Sequence, residues 1–127
     1  PLSKKLGIKP GLSCYVFEPP ALYLDWLHPL PENINFRNKL SGVIDFIHLF
    51  VKDLKTFRIL FSRAKKYIKK DGMLWVSWPK RSSKVQTDLD ENVIRDFGLS
   101  EGLVDVKVCA VDEVWSGLKF VIRVKDR

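Results

Sequence analysis

The run Val43-Ile44-Asp45-Phe46-Ile47-His48-Leu49-Phe50-Val51 constrains the fold of this chain more than any other feature. It is apolar on both parities and rich in β-branched and aromatic residues, so a strand here buries both faces and needs helices above and below it. Immediately downstream, Asp53 fits an N-cap, and Leu54, Phe57, Leu60, Phe61, Ala64, Tyr67 and Ile68 recur at three- and four-residue spacing. That pattern predicts an amphipathic helix. Its basic tail (Arg63, Lys65, Lys66, Lys69, Lys70) complements the helix dipole, and Gly72 fits a left-handed end.

The remaining elements follow from turn and cap signals. Pro10-Gly11 opens a strand over 12–17, which Glu18-Pro19-Pro20 closes before a short helix over 21–27. A brief strand is expected near 34–36, and a longer one over 73–78, stopped by Pro79. Asp88 and Glu91 fit a capping box for a helix carrying Leu89, Val93, Ile94 and Phe97 and ending at Gly98. Two strands, 103–111 and 118–124, are close enough to form a hairpin. Trp75 and Trp78 lie an odd number of residues apart, so they face opposite sides of their strand. The order predicts an α/β fold: an open, mostly parallel Rossmann-like sheet flanked by helices and ending in an antiparallel C-terminal hairpin.

At 127 residues, with 46% hydrophobic and 29% charged, the chain is expected to form one domain over 1–127. Cys14 and Cys109 are too few for a disulfide framework and read as buried free thiols. No apolar stretch approaches the ~18 residues of a membrane span, and the first residues lack the apolar core of a signal peptide, which points to the cytoplasm. The net charge of +7 favours anionic partners.

Ile-Lys-Pro-Gly ahead of the first strand and Tyr-Ile-Lys-Lys-Asp-Gly-Met-Leu-Trp-Val after the long helix resemble phrases of class I S-adenosylmethionine-dependent methyltransferases, whose fold also ends in a hairpin. One strand-helix unit of that fold is missing between Phe36 and Val43. More narrowly, Lys-Leu-Gly-Ile-Lys-Pro-Gly, His-Leu-Phe-Val, Trp-Val-Ser-Trp-Pro-Lys and the stretch from Val104 to Lys119 resemble a family of small bacterial proteins classed as a domain of unknown function. That resemblance implies the fold and brings no activity with it.

The methyltransferase resemblance implies a glycine-rich loop after the first strand and an acidic residue after the second. Here the loop is Glu18-Pro19-Pro20-Ala21, with two amide donors gone and two rings expected in the cofactor's space, and the second position falls near Arg37 or Asn38. S-adenosylmethionine is therefore not expected to bind. The candidate site is instead an anion loop, Trp78, Lys80, Arg81, Ser82, Ser83 and Lys84, whose cations, hydroxyls and free amides precede a helix N-terminus. Glu18 and Asp53, at the carboxyl edge of the sheet, and Asp112, Glu113 and Trp115, in the hairpin connection, are secondary candidates.

No catalytic set or metal cluster is expected, and His48 reads as a hydrogen-bonded core residue. The leading expectation is a non-catalytic or reduced Rossmann-like module that binds an anionic small molecule or a protein partner. The alternatives are an S-adenosylmethionine-dependent methyltransferase and a basic nucleic-acid-binding accessory protein. The two sequence-local basic runs fall at opposite sheet edges, which disfavours nucleic acid, and the hairpin edge offers a route to a homodimer.

Overall fold

In the computed structural model, which describes Pro1–Arg127, the doubly apolar run forms β3 (Ile44–Phe50), and every residue from Phe46 to Phe50 is buried. It pairs in parallel with β1 (Ser13–Phe17) on one side and β4 (Ile68–Pro79) on the other. The short β2 (Asn35–Arg37) adds to β1 in parallel. β5 (Leu103–Ala110) and β6 (Trp115–Ile122) form the hairpin, with β6 inserted antiparallel between β4 and β5. The six-stranded order is β2-β1-β3-β4-β6-β5.

Alternate parity sends the two sets of β3 side chains to separate cores. On one face α3 (Leu54–Ala64) and α4 (Glu91–Ser100) bury Phe57, Phe61 and Ile94 against Ile47, Leu49, Leu74, Val76 and Phe120. On the other, α1 (Leu2–Leu6) and α2 (Tyr23–Leu27) bury Leu6, Tyr23 and Leu27 against Phe46, Phe50 and Trp75. The Trp75 indole N–H donates to the Leu6 carbonyl at 2.9 Å, which pins α1 to the sheet. Trp78 belongs to the opposite core. Cys14 is fully buried, and burial pushes its thiol up to about 12; Cys109 is only half-buried, so one of the two expected buried thiols is partly accessible. No helix is long and apolar enough to cross a membrane.

Four local expectations are corrected. The long helix stops at Ala64, because the Tyr67 carbonyl accepts from Ile44 N–H and the chain turns into β4 from Ile68 onward. Gly72 therefore sits inside a strand, where a Cβ would lie 2.7 Å from the Asp45 carbonyl oxygen; close approach, not a left-handed cap, demands glycine. The cap of α4 is Asp90, whose carboxylate accepts from Val93 N–H at 2.8 Å, and α4 runs on through Gly98 to Ser100. Asp88 instead accepts from Leu54 N–H at 2.8 Å and ties this segment to the start of α3. Asp90→Ala is accordingly expected to cost about 1 kcal/mol in urea unfolding, the usual loss for an N-cap, with little change in the α3 end.

Candidate functional site at the carboxyl edge of the sheet

The parallel strands β1, β3 and β4 all end on one edge, and β6 begins there, since Pro79 and Trp115 are register partners. Loops after parallel strands build the crevice in which open α/β sheets take ligands. The sequence candidates Glu18, Asp53, the 78–84 segment, Asp112, Glu113 and Trp115 are brought to this rim by those strand ends.

The ridge Glu18-Pro19-Pro20 divides two clefts. One, of about 400 Å³, is lined by Val16, Pro19, Pro20, Ala21, Tyr23, Leu24, Phe36 and Arg37. The second, of about 420 Å³, is lined by Phe17, Glu18, Pro20, Phe50, Val51, Lys52, Asp53, Thr56 and Trp115. Glu18 itself has a left-handed backbone, φ 50°, where the chain leaves β1 for the ridge. Asp53 caps α3 through Thr56 N–H at 2.8 Å, and that bond holds its carboxyl below the ordinary range, so it is a fixed anion at neutral pH. The Phe50 and Trp115 rings meet edge to face at 5.0 Å in the cleft wall.

Beneath the ridge lies a buried polar relay. The Tyr23 hydroxyl is 2.8 Å from His48 Nδ1, and His48 Nε2 is 2.6 Å from Ser77 Oγ. All three residues are buried, and burial lowers the His48 pKa to about 3, so the imidazole is neutral. His48 also stacks on Phe50, with ring centroids 4.2 Å apart. The relay thus supports one wall of each cleft: Tyr23 in the first and Phe50 in the second.

The anion loop forms a third, larger cleft of about 740 Å³. Trp78, Lys80, Arg81, Ser82 and Lys84 line it, opposite Asp88, Asp90 and Glu91. Arg81–Ser83 is a single 3-10 turn, and Ser83 is used inside it, its hydroxyl donating to the Lys80 carbonyl at 2.6 Å. Thr87 Oγ1 donates to the Lys52 carbonyl at 2.5 Å, which holds this segment beside the second cleft. The free backbone amides expected in the loop are largely committed, since Lys80 N–H donates to the Val114 carbonyl, Ser83 N–H to the Lys80 carbonyl and Lys84 N–H to the Arg81 carbonyl, while Asp90 caps the N-terminus of α4. Asp112 is likewise committed, accepting from Val114 and Trp115 N–H at 2.9 and 2.7 Å to shape the hairpin turn, while Glu113 is exposed.

No family model matches the chain, and no curated protein matches it. Solved structures do. A ribosomal protein L11 methylase from Lactobacillus delbrueckii subsp. bulgaricus superposes with TM-score 0.64 at 12% identity, covering 96% of this chain and 75% of that one. A magnesium protoporphyrin IX methyltransferase from Synechocystis with bound S-adenosylmethionine gives 0.63 at 12% identity, covering 96% and 74%. A methyltransferase dependent on S-adenosylmethionine from Aquifex aeolicus gives 0.59 at 16% identity, covering 94% and 87%. The fold is a reduced class I methyltransferase fold.

These neighbours overturn two expectations. The non-catalytic module is no longer the better reading, since the solved structures on which this chain superposes here are methyltransferases. The exclusion of S-adenosylmethionine also falls: a neighbour of the same fold binds it, and the two prolines line open clefts instead of filling them. The missing amide donors and Arg37 at the end of β2 remain as departures, Arg37 being turned to the Ser41 carbonyl at 3.1 Å. Sequence reasoning missed Tyr23, Leu24, Phe36 and Phe50. They fall within the short helix over 21–27, the brief strand near 34–36 and the doubly apolar run, none of which signals a cleft, and only the ridge reveals them as cleft walls.

Proposed function

We propose that this protein is an S-adenosylmethionine-dependent methyltransferase whose cofactor spans the two clefts on either side of Glu18-Pro19-Pro20. The observation that carries this reading is the chemical division of that edge. The first cleft is largely apolar, suited to a purine ring packed on Tyr23, Leu24 and Phe36. The second offers the carboxylates of Glu18 and Asp53 together with two aromatic rings, suited to a sulfonium or ammonium cation. Their volumes fall within the roughly 300–1,000 Å³ range of small-molecule sites.

When bound, S-adenosylmethionine supplies an electrophilic methyl group on sulfur. The protein's own part is binding and orientation. Asp53, fixed as an anion by Thr56, holds positive charge at the rim; Phe50 and Trp115 exclude water from one side; the His48 relay holds Tyr23 and Phe50 in place. With no glycine loop, recognition of the cofactor rests on side chains more than on backbone amides. The 740 Å³ cleft, joined to the second through Lys52 and Thr87, is the natural seat of the methyl acceptor, and its Lys80, Arg81 and Lys84 favour an acceptor bearing negative charge. A cytoplasmic, bacterial setting accords with this cofactor.

Thermal melting with S-adenosylmethionine and S-adenosylhomocysteine tests the reading. At about 100-fold excess over Kd, a ligand stabilises the fold by about 2.7 kcal/mol, so the midpoint rises by several degrees with either compound. Ala21→Trp, which fills the apolar cleft from an exposed position, abolishes the shift and leaves the unliganded midpoint nearly unchanged. No shift in the unaltered protein, or an unchanged shift in the variant, contradicts the assignment.

A further inference from the structure

Four lysines far apart in sequence meet on the α1 side of the hairpin, away from the clefts. Lys107 and Lys119 are direct partners in the antiparallel β5-β6 register, an arrangement in which like charges destabilise the pair. The Lys107 ammonium donates to the Lys5 carbonyl at 2.8 Å, which brings it against the end of α1. Lys119 Nζ lies beside Gly7, 3.8 Å from where a Cβ would stand. Burial of its stem, then Lys107, then Lys9, lower the Lys119 pKa, while burial raises that of the Cys109 thiol against the opposing pull of Lys5 and Lys107.

No carboxylate pairs with any of the four. The five ion pairs of the molecule engage Lys65, Lys69 and Arg95 instead. Folding therefore assembles mutually repelling cations from α1, the segment after it, β5 and β6, and beyond the Lys5 carbonyl bonded to Lys107 no acidic group in the fold pairs with them. An external anion does. The lysines present point charges without the arginine fork that selects single carboxylates or phosphates, and of the exposed large hydrophobic side chains only Val106 and Val108 adjoin them, on either side of Lys107 in β5, which is less apolar surface than a lipid interface needs. Repeated, sequence-independent charge contacts are what a phosphodiester backbone offers.

We infer that Lys5, Lys9, Lys107 and Lys119 form a docking face for the phosphate backbone of a nucleic-acid strand. The inference stands apart from the methyltransferase reading, since it concerns a different face and needs no cofactor. It also explains why the runs of basic residues in the sequence do not reveal it: Lys5, Lys9, Lys107 and Lys119 all lie outside the runs 63–70 and 80–84.

The test is fluorescence anisotropy with a labelled single-stranded RNA of twenty nucleotides, from 50 to 300 mM KCl. Four contacts predict a slope of log K against log salt of about −3, at about −0.7 per phosphate of a single strand. The variant Lys5→Gln, Lys9→Gln, Lys107→Gln alters only exposed positions; it relieves repulsion and gives up the Lys107 bond to the Lys5 carbonyl, so its melting midpoint stays close to that of the unaltered protein, its slope falls to about −1, and affinity at 100 mM drops about a hundredfold. The control Arg63→Gln, Lys66→Gln, Lys70→Gln keeps the original slope. Absence of RNA binding at 50 mM KCl, an unchanged slope in the first variant, loss of binding in the control, or equal affinity for poly-glutamate would each overturn the inference.

Discussion

Lowering the pH from 7 to 4 is expected to remove about 3 kcal/mol of folding stability through one side chain, His48. Burial lowers its pKa to about 3 from the 6.5 of an exposed histidine. A base whose folded pKa is depressed binds its proton more readily when unfolded. Its stabilising contribution is therefore complete above about pH 6.5 and is lost progressively as pH falls toward 3, at up to about 1.4 kcal/mol per pH unit. The cause is structural: His48 is fully buried, with Phe46, Phe50 and Trp75 around it and one hydroxyl on each ring nitrogen. Urea unfolding between pH 6.5 and 5, above most carboxylate titration, reads the slope. His48→Gln should lose stability at pH 7, where the Tyr23 and Ser77 hydroxyls lose partners, yet show a flatter pH dependence than the unaltered protein. Equal slopes in the two proteins would contradict a buried neutral imidazole.

Gly98→Ala should be severely destabilising, although alanine is the better helix former by about 1 kcal/mol. A Cβ on Gly98 would stand 2.1 Å from Phe120 Cε1 and 2.6 Å from Cζ. Phe120 has no room to retreat, since it is fully buried and packs edge to face on Phe61 with centroids 5.1 Å apart. Overpacking of this kind costs about 1–3 kcal/mol, and the overlap here puts the net loss near the top of that range. The double variant Gly98→Ala, Phe120→Leu should recover part of it, because the two sites share one contact and their effects do not add. Stabilisation by the single change would show that α4 sits farther from the sheet.

The sheet was legible in the sequence wherever burial left a parity signature. The run 43–51 could only be covered on both faces, and the interior place of β3 in the sheet, between β1 and β4, agrees with that. Short or compensated features were not legible. Five residues of α1 are too few for a helical period, and its anchor is an indole 69 positions away. The insertion of β6 between β4 and β5 leaves no local mark, because a hairpin can dock by either strand. Asp88 and Asp90 carry the same cap chemistry, and tertiary contact with Leu54 decided between them. Glu18, Asp53 and the 78–84 segment were foreseeable at the rim because strand ends place them, whereas Asp112, Glu113 and Trp115 reach it only through the docking of β6, and the cleft walls Tyr23, Phe36 and Phe50 carry no mark in the sequence that separates them from other strand and helix residues. The two prolines were misjudged for a geometric reason: removing amides weakens one mode of ligand contact without closing the space.

The most direct test of the cofactor assignment is the amide chemical-shift map of the protein titrated with S-adenosylhomocysteine. Shifts concentrated at Phe17, Glu18, Ala21, Tyr23, Arg37 and Lys52, with little change along residues 80–91, are the predicted result. Shifts confined to residues 80–91, or none at millimolar ligand, would contradict a cofactor site at the Glu18-Pro19-Pro20 ridge.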